Sequence, residues 1–160
     1  MEKHIDNAGS PALYIQYKES NRLAKAHRRI DVSVHYLVDS KWVLRREEYL
    51  QEAAPPEIAK AELNLLQTAA NDLPHVLASA KDAAIVVPVS LKAFNSPYDL
   101  YDYACEALLL ARDKPLIFEI SAEPKGEDGI YLTPELVVKY LLGRGLRIIE
   151  PSETSGGVGA

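Results

Sequence analysis

The sequence predicts one α/β domain whose sheet is mostly parallel and alternates with helices. Three short apolar runs in the second half have the composition of buried strands: residues 83–89 (AAIVVPV), 116–121 (LIFEIS) and 146–149 (LRII). Two segments between them open with Ser96-Pro97 and Thr133-Pro134, which is typical of a capped helix. Strands connected by helices pair in parallel through right-handed crossovers.

The first half predicts two half-buried strands, at 12–18 (ALYIQYK) and 30–38 (IDVSVHYLV). The short basic connection between them suits a hairpin loop or one or two helical turns, so these N-terminal strands are candidates for antiparallel pairing. Residues 40–49 fit either the end of a strand or the start of a helix. We expect a flexible leader at 1–11, the domain at 12–151 and a flexible glycine-rich tail at 152–160.

Three helices follow from apolar spacing and from proline. The first begins near Pro55 and Glu57 and should stop or kink at Pro74, which removes a backbone donor. The second runs from Pro97 to about Ala111. The third begins at Pro134 and ends at the two glycines of the segment GRG.

Composition excludes several classes of protein. The formal net charge of −5 gives no overall attraction to nucleic acid or to anionic membranes. The single cysteine, Cys105, allows neither an internal disulfide nor a zinc cluster, and no apolar stretch is long enough for a signal peptide or a membrane span. We therefore expect a cytoplasmic protein that requires no cofactor.

Ligands of parallel α/β sheets bind at the carboxyl ends of the strands, which here means residues 90–95, 121–128 and 150 onward. Glu119 lies inside the strand LIFEIS, where an ionised carboxylate needs either a basic partner or a metal. The structural ion pair is the preferred interpretation. Glu119, Glu123 and Glu150 are nevertheless the candidate ligand or metal residues, and the metal itself is left unknown.

Two other groups of side chains are candidates for binding. The basic run from Lys18 to Arg29 could attract a phosphate group, with Lys25, Arg28 and Arg29 as its phosphate-binding residues, although such runs are more often solvated faces. Around the ambiguous segment, the interaction candidates are Trp42, Leu44 and Tyr49. The four histidines show no metal-ligand spacing, and His35 is interpreted as a hydrogen-bonded structural residue.

The order of elements from about residue 62 to residue 149 resembles EAL domains, the cyclic di-GMP phosphodiesterase family. IVVPVSLKAF matches the strand that ends in a V-N-L-S-like motif, LIFEIS matches L-x-L-E-I-T, and VVKYLLGRGLRIIEPSETSGG matches the following helix and strand. The resemblance implies a (β/α) barrel. A barrel of this type takes about 200 residues or more, so this chain would form a partial or truncated one.

The resemblance also implies metal binding by carboxylates and an asparagine, and a metal-activated water that attacks the phosphodiester. Glu119 matches the metal-binding glutamate, but Pro88 stands where the asparagine is expected. His35-Tyr36-Leu37 falls over Glu-Ala-Leu, and only Glu150 remains of an acidic pair. The resemblance therefore implies a bacterial signalling relative that has lost its catalytic activity.

Three functions follow from these observations. The preferred one is a non-catalytic regulatory or protein-interaction domain that forms a dimer or binds a protein partner, with a cyclic dinucleotide as the implied ligand. The second is a metal-dependent phosphodiesterase or nuclease using the three glutamates. The third is a small nucleotide- or RNA-binding protein using the run from Lys18 to Arg29.

Overall fold

The computed structural model describes residues 2–5, 12–24, 27–38, 42–121 and 132–150. These residues form seven strands and four α-helices. The strands are β1 (Glu2–Ile5), β2 (Ala12–Ala24), β3 (His27–Val38), β4 (Trp42–Arg45), β5 (Ala83–Val89), β6 (Leu116–Ile120) and β7 (Ile148–Ile149). The helices are α1 (Arg46–Glu52), α2 (Pro55–Val76), α3 (Pro97–Ala111) and α4 (Pro134–Gly143).

All seven strands form one mixed sheet in the order β1-β2-β3-β5-β6-β7, and β4 pairs with the carboxyl-terminal part of β3. The pairs β1/β2, β2/β3 and β3/β4 are antiparallel, whereas β3, β5, β6 and β7 run parallel. Among the described strands β1 and β7 remain at opposite edges, so the sheet is not closed. The predicted α/β class, the antiparallel N-terminal strands and the partial barrel are confirmed.

The N-terminal ribbon is longer than the sequence pattern predicts. β2 continues six residues beyond Lys18, and β3 begins three residues before Ile30. The basic connection is therefore mostly strand rather than loop or helix, with a shift in register between Glu19 and Leu23. Cross-strand pairing overrides the low strand propensity of this polar segment.

The ambiguous segment at 40–49 contains both elements in succession. Trp42–Arg45 pairs with β3, and α1 begins at the next residue. The long helix α2 extends two residues past Pro74 and then gives way to a 3-10 turn at Leu77–Ser79. The predicted stop is confirmed to within a single helical turn.

Both predicted helix caps are present. The Ser96 hydroxyl accepts a hydrogen bond from the Asp99 N–H at 3.3 Å, and the Thr133 hydroxyl accepts one from the Leu136 N–H at 3.2 Å. Gly145 has φ +92°, the left-handed conformation in which the chain leaves α4. These local signals fix the helix starts in the second half.

The two faces of the parallel strands differ. One face contributes Ile85, Val87, Leu116 and Phe118 to the main core, which also includes buried side chains of α2, α3 and α4. The alternate residues form a second, separate cluster of Ala84, Val86, Ile117 and Ile149. We call the face that carries this second cluster the far face. Within the described residues no helix is long and apolar enough to cross a membrane.

Candidate functional site

The far face carries the sequence-predicted glutamate together with an arginine from β3, on the other side of β5. The Arg29 Nη2 atom on β3 donates to the Glu119 Oε1 atom on β6 at 2.8 Å. Strand β5 lies between these two strands, and the register partner of Arg29 on β5 is the small residue Ala84. Glu119 therefore has the basic partner that the preferred interpretation requires.

Asp31 completes this group of charges. Its carboxylate accepts a hydrogen bond from Arg29 Nε, and it lies two residues along the same strand, so both side chains share one face. Arg29 is 7% exposed and Glu119 17%, whereas Asp31 is 44% exposed. Burial acts to lower the pKa of Arg29, but hydrogen bonds to Asp31 and Glu119 outweigh it and raise the pKa above its ordinary value.

Two other positions that the resemblance to EAL domains marks, Pro88 and His35, lie on the same sheet but supply no oxygen ligand. Pro88 is the register partner of Glu119 on β5, and proline has no side-chain donor atom. His35 lies on β3 at an odd position, as Arg29 and Asp31 do, and packs edge-on against Tyr14 with 6.2 Å between ring centroids. The buried His35 Nδ1 atom makes no hydrogen bond with the described residues. The expectation of a hydrogen-bonded histidine is therefore not met at this atom.

These residues do not fit the divalent metals of the EAL family. The carboxylate of Glu119 is held by a guanidinium, and hard divalent cations need several oxygen ligands around one point. Within the described ranges no group of three or more histidine, cysteine, aspartate and glutamate side chains could hold a metal ion. We therefore derive no metal-dependent step from this face.

Of the remaining sequence-predicted residues, the structure describes Glu150 and Arg28. Glu150 follows β7, and it is Ile149 rather than Glu150 that is the register partner of Glu119. Glu123 and Lys25 lie outside the described residues. Arg28 is exposed and forms ion pairs with Glu19 and, at 2.8 Å, with Asp82. The adjacent residues Arg28 and Arg29 thus bind different carboxylates instead of forming one phosphate site.

The interaction candidates around α1 are largely inside the protein. Tyr49 is 6% exposed and stacks on Tyr36 with 4.1 Å between ring centroids. Leu44 is half-buried and packs against the main core. The side chain of Trp42 lies outside the described part of the chain. The aromatic ring of Tyr49 therefore contributes to the fold and is not presented to a partner.

A buried ion pair that the sequence analysis did not single out lies on the opposite face of the sheet. Arg46 at the start of α1 binds Glu62 on α2 through two hydrogen bonds, at 2.6 and 2.9 Å. Arg46 also donates to the Tyr36 hydroxyl at 3.0 Å. Burial opposes the charge on Arg46, but Glu62 and Tyr36 together raise its pKa above the ordinary value.

Glu62 connects this pair to the carboxyl end of β5. Its Oε2 atom accepts a hydrogen bond from the Ser90 N–H at 2.8 Å. Ser90 begins the connection from β5 to α3, which is one of the segments where a ligand of such a sheet binds. Lys92 in the same connection donates to the Leu50 carbonyl at 2.9 Å. The connection is thus fixed to α1 and α2 by polar contacts.

One signal in the sequence could have revealed this pair. Glu62 lies four residues after Ile58 and three before Leu65, on the apolar stripe of α2, where a charged residue is out of place. A buried glutamate there requires a cationic partner. The identity of that partner depends on how α1 packs, and residues 40–49 do not specify this.

Tyr17 and Asp72 form a partly buried contact between β2 and α2. The Tyr17 hydroxyl donates to Asp72 Oδ2 at 2.6 Å, and Asp72 is 2% exposed. Burial, followed by the hydrogen bond and the charge of Asp72, raises the pKa of Tyr17 well above its ordinary value. Because the folded-state pKa is raised, the stability that this tyrosine provides is complete below about pH 10 and is lost as the pH rises further.

We expect Tyr17→Phe to reduce the sensitivity of the protein to alkaline pH. Between about pH 10 and pH 11 the wild-type free energy of unfolding should fall by up to about 1 kcal/mol more than that of the variant. Urea unfolding at several pH values measures both slopes. Tyr98→Phe, at an exposed position, is the matched control and should keep the wild-type slope. Identical slopes for wild type and Tyr17→Phe would contradict the assignment.

Comparison with known proteins identifies the fold. No family model matches the chain, and no curated protein matches it. A solved structure of the PaMucR phosphodiesterase in complex with c-di-GMP matches with a TM-score of 0.54 and 15% identity, over 85% of this chain and 56% of that one. The EAL enzyme Bd1971, bound to cAMP and cyclic-di-GMP, matches with a TM-score of 0.49 and 10% identity, over 85% and 39%.

The chain thus spans little more than half the length of the PaMucR structure that it matches. At this identity the likeness concerns the fold alone. The resemblance to EAL domains that the strand motifs indicate is confirmed at that level, and the partial barrel agrees with the partial coverage.

Proposed function

We propose that this chain is a non-catalytic domain of cyclic di-GMP signalling that regulates through binding and not through hydrolysis. The observation that carries the proposal is the ion pair between Arg29 and Glu119 on the far face. In the family the corresponding glutamate is a metal ligand, and here it neutralises an arginine that is itself buried.

The cost of leaving Arg29 without a carboxylate partner supports the proposal that Glu119 pairs with it and does not bind a metal. A buried guanidinium needs carboxylate partners, so moving Glu119 onto a metal would leave one hydrogen bond of Arg29 unmade in a place that water reaches poorly. A divalent cation next to a fixed guanidinium would also repel it. Breaking the ion pair so that Glu119 could bind a metal would therefore lower the stability of the fold.

Pro88 and His35 support the same conclusion from the neighbouring strands. Proline offers no side-chain oxygen, and an imidazole nitrogen is a poor ligand for magnesium or calcium, which prefer oxygen. Both residues lie on parallel strands of the sheet that also carries Glu119. Substitution of the ligands on a preserved scaffold favours a role in binding for the proposed domain.

We expect no hydrolysis of cyclic di-GMP in the presence of magnesium or manganese. The purified chain is incubated with the dinucleotide and each metal, and the linear product is measured by chromatography. Glu119→Gln is the matched control, and its background should equal that of the wild type. Metal-dependent product that disappears in Glu119→Gln would overturn the proposal and favour the phosphodiesterase alternative.

A further inference from the structure

A groove of about 850 Å³ lies between the carboxyl-terminal ends of α3 and α4. It lies where β6 and β7 begin, which is the edge of the sheet opposite to the ligand-binding edge of the fold. Its floor and walls include four leucines, of which Leu116 and Leu146 are buried and Leu109 is 79% exposed. The fourth is Leu108.

The charged residues that line this groove are mainly cationic. They are Arg112, Lys114, Arg144 and Arg147, with Asp113 as the one acid among the described lining residues. The ends of α3 and α4 add partial negative charges of about 0.5 each. The four full positive charges exceed the sum of the negative charges, which come from Asp113 and the two helix ends. The groove is therefore positive, although the formal net charge of the chain is −5.

The cations are held on two tight turns. The turn after α3 is closed by a hydrogen bond from the Lys114 N–H to the Ala111 carbonyl at 3.1 Å, and Asp113 adopts a left-handed φ of 60°. The turn after α4 is closed by a hydrogen bond from the Leu146 N–H to the Leu141 carbonyl at 3.2 Å. Short closed turns fix the backbone positions from which these side chains extend.

Arg144 is also fixed by aromatic contacts. Its guanidinium carbon lies 5.1 Å from the Tyr140 ring centroid and 5.8 Å from that of Tyr101, and Nη2 donates to the Tyr140 hydroxyl at 2.9 Å. A cation that is ordered before binding loses less conformational entropy when it binds an anion. These contacts are with aromatic rings and a hydroxyl group rather than with a carboxylate, so the charge of Arg144 remains available to a ligand.

We propose that this groove binds an acidic amphipathic helix of a partner protein. Leucines on the floor fit the apolar face of such a helix, and cations around the rim fit its carboxylates, as in helix-in-groove recognition. A small anion would not cover the leucines, and a nucleic acid would bring no apolar face to them. The inference rests on the proposed regulatory function in one respect, because a domain that regulates by contact needs a partner.

The test uses a fluorescein-labelled helical peptide of about 14 residues, with leucine at i, i+3, i+4 and i+7 and glutamate elsewhere. Anisotropy is measured with the full chain. Two further peptides carry serine in place of leucine or lysine in place of glutamate, and a single-stranded DNA is the fourth probe. We expect measurable binding of the leucine–glutamate peptide only.

Variants locate that binding in the groove. The double variant Arg112→Glu/Arg144→Glu should lower the affinity for the leucine–glutamate peptide at least about tenfold, a change of about 1.4 kcal/mol. Leu109→Ser should lower the affinity for the same peptide severalfold. Lys60→Glu/Lys81→Glu makes the same change of charge at exposed positions outside the groove and should leave the affinity within about twofold, since isolated surface charges contribute little.

Circular dichroism of each variant verifies that it is folded. Equal affinity for the peptide without leucine or for DNA would overturn the proposal, because either result would indicate a general anion-binding surface. Undiminished binding by the groove variants would overturn it as well. Hydrolysis of cyclic di-GMP is measured separately, so failure of the proposed function and failure of this inference are distinguishable.

Discussion

Replacing Glu62 by alanine should lower the free energy of unfolding by about 3–5 kcal/mol, because it leaves Arg46 as an unpaired buried charge. Glu62 is 1% exposed and binds Arg46 through both carboxylate oxygens. The Ser90 N–H also loses its hydrogen-bond acceptor, and the Tyr36 hydroxyl loses a neighbouring carboxylate charge. Urea denaturation followed by circular dichroism measures the change.

Two comparisons make this result specific. Glu47→Ala removes an exposed glutamate from the first turn of α1 and should change the stability by about 0.5 kcal/mol or less. The double variant Arg46→Met/Glu62→Leu removes both charges and should recover most of the loss, remaining about 1–2 kcal/mol below wild type because Ser90 lacks an acceptor. A double variant as unstable as Glu62→Ala would contradict the ion-pair interpretation.

The elements that the sequence predicts correctly are those encoded by local signals. Ser96 and Thr133 each accept the backbone hydrogen bond expected of a cap, and the proline after each fixes the first helical residue. These interactions span only three residues. They can therefore be read without knowing how the helices pack.

Long-range partners could not be predicted in the same way. A charge within LIFEIS requires a partner, but Arg29 is 90 residues away in sequence, and only the sheet order brings it near Glu119. The basic run fails as a single site for a related reason. Once His27–Val38 is a strand, Arg28 and Arg29 point to opposite faces and bind different carboxylates.

The resemblance to EAL domains at the level of the fold rests on local signals in the sequence. Strand motifs such as LIFEIS encode burial on both faces, and the structure places Phe118 in the main core and Ile117 in the second cluster. A partner for Glu119 is one part of the site that those motifs do not encode. The architecture therefore follows from the sequence pattern, whereas the chemistry of the far face depends on which distant residues the tertiary fold brings together.

Phe118→Ala should be the most destabilising single truncation in the parallel strands, at about 3–5 kcal/mol. Phe118 is fully buried on β6, and the Tyr103 ring of α3 meets it edge-on with 6.2 Å between centroids. Phe94 also contacts the Tyr103 ring, with 5.5 Å between centroids, so the cavity would open beneath α3. Thermal and urea unfolding both measure this loss.

Tyr103→Phe tests the same aromatic cluster, but here we expect no large loss of stability. Burial raises the pKa of Tyr103 well above its ordinary value, and its hydroxyl makes no hydrogen bond with the described residues. Removing a buried hydroxyl that lacks a partner leaves the ring contacts intact, so stability should remain within about 1 kcal/mol of wild type or increase. A loss of several kcal/mol would mean that the hydroxyl has a partner and that the cluster is held by polar contacts as well as by ring packing.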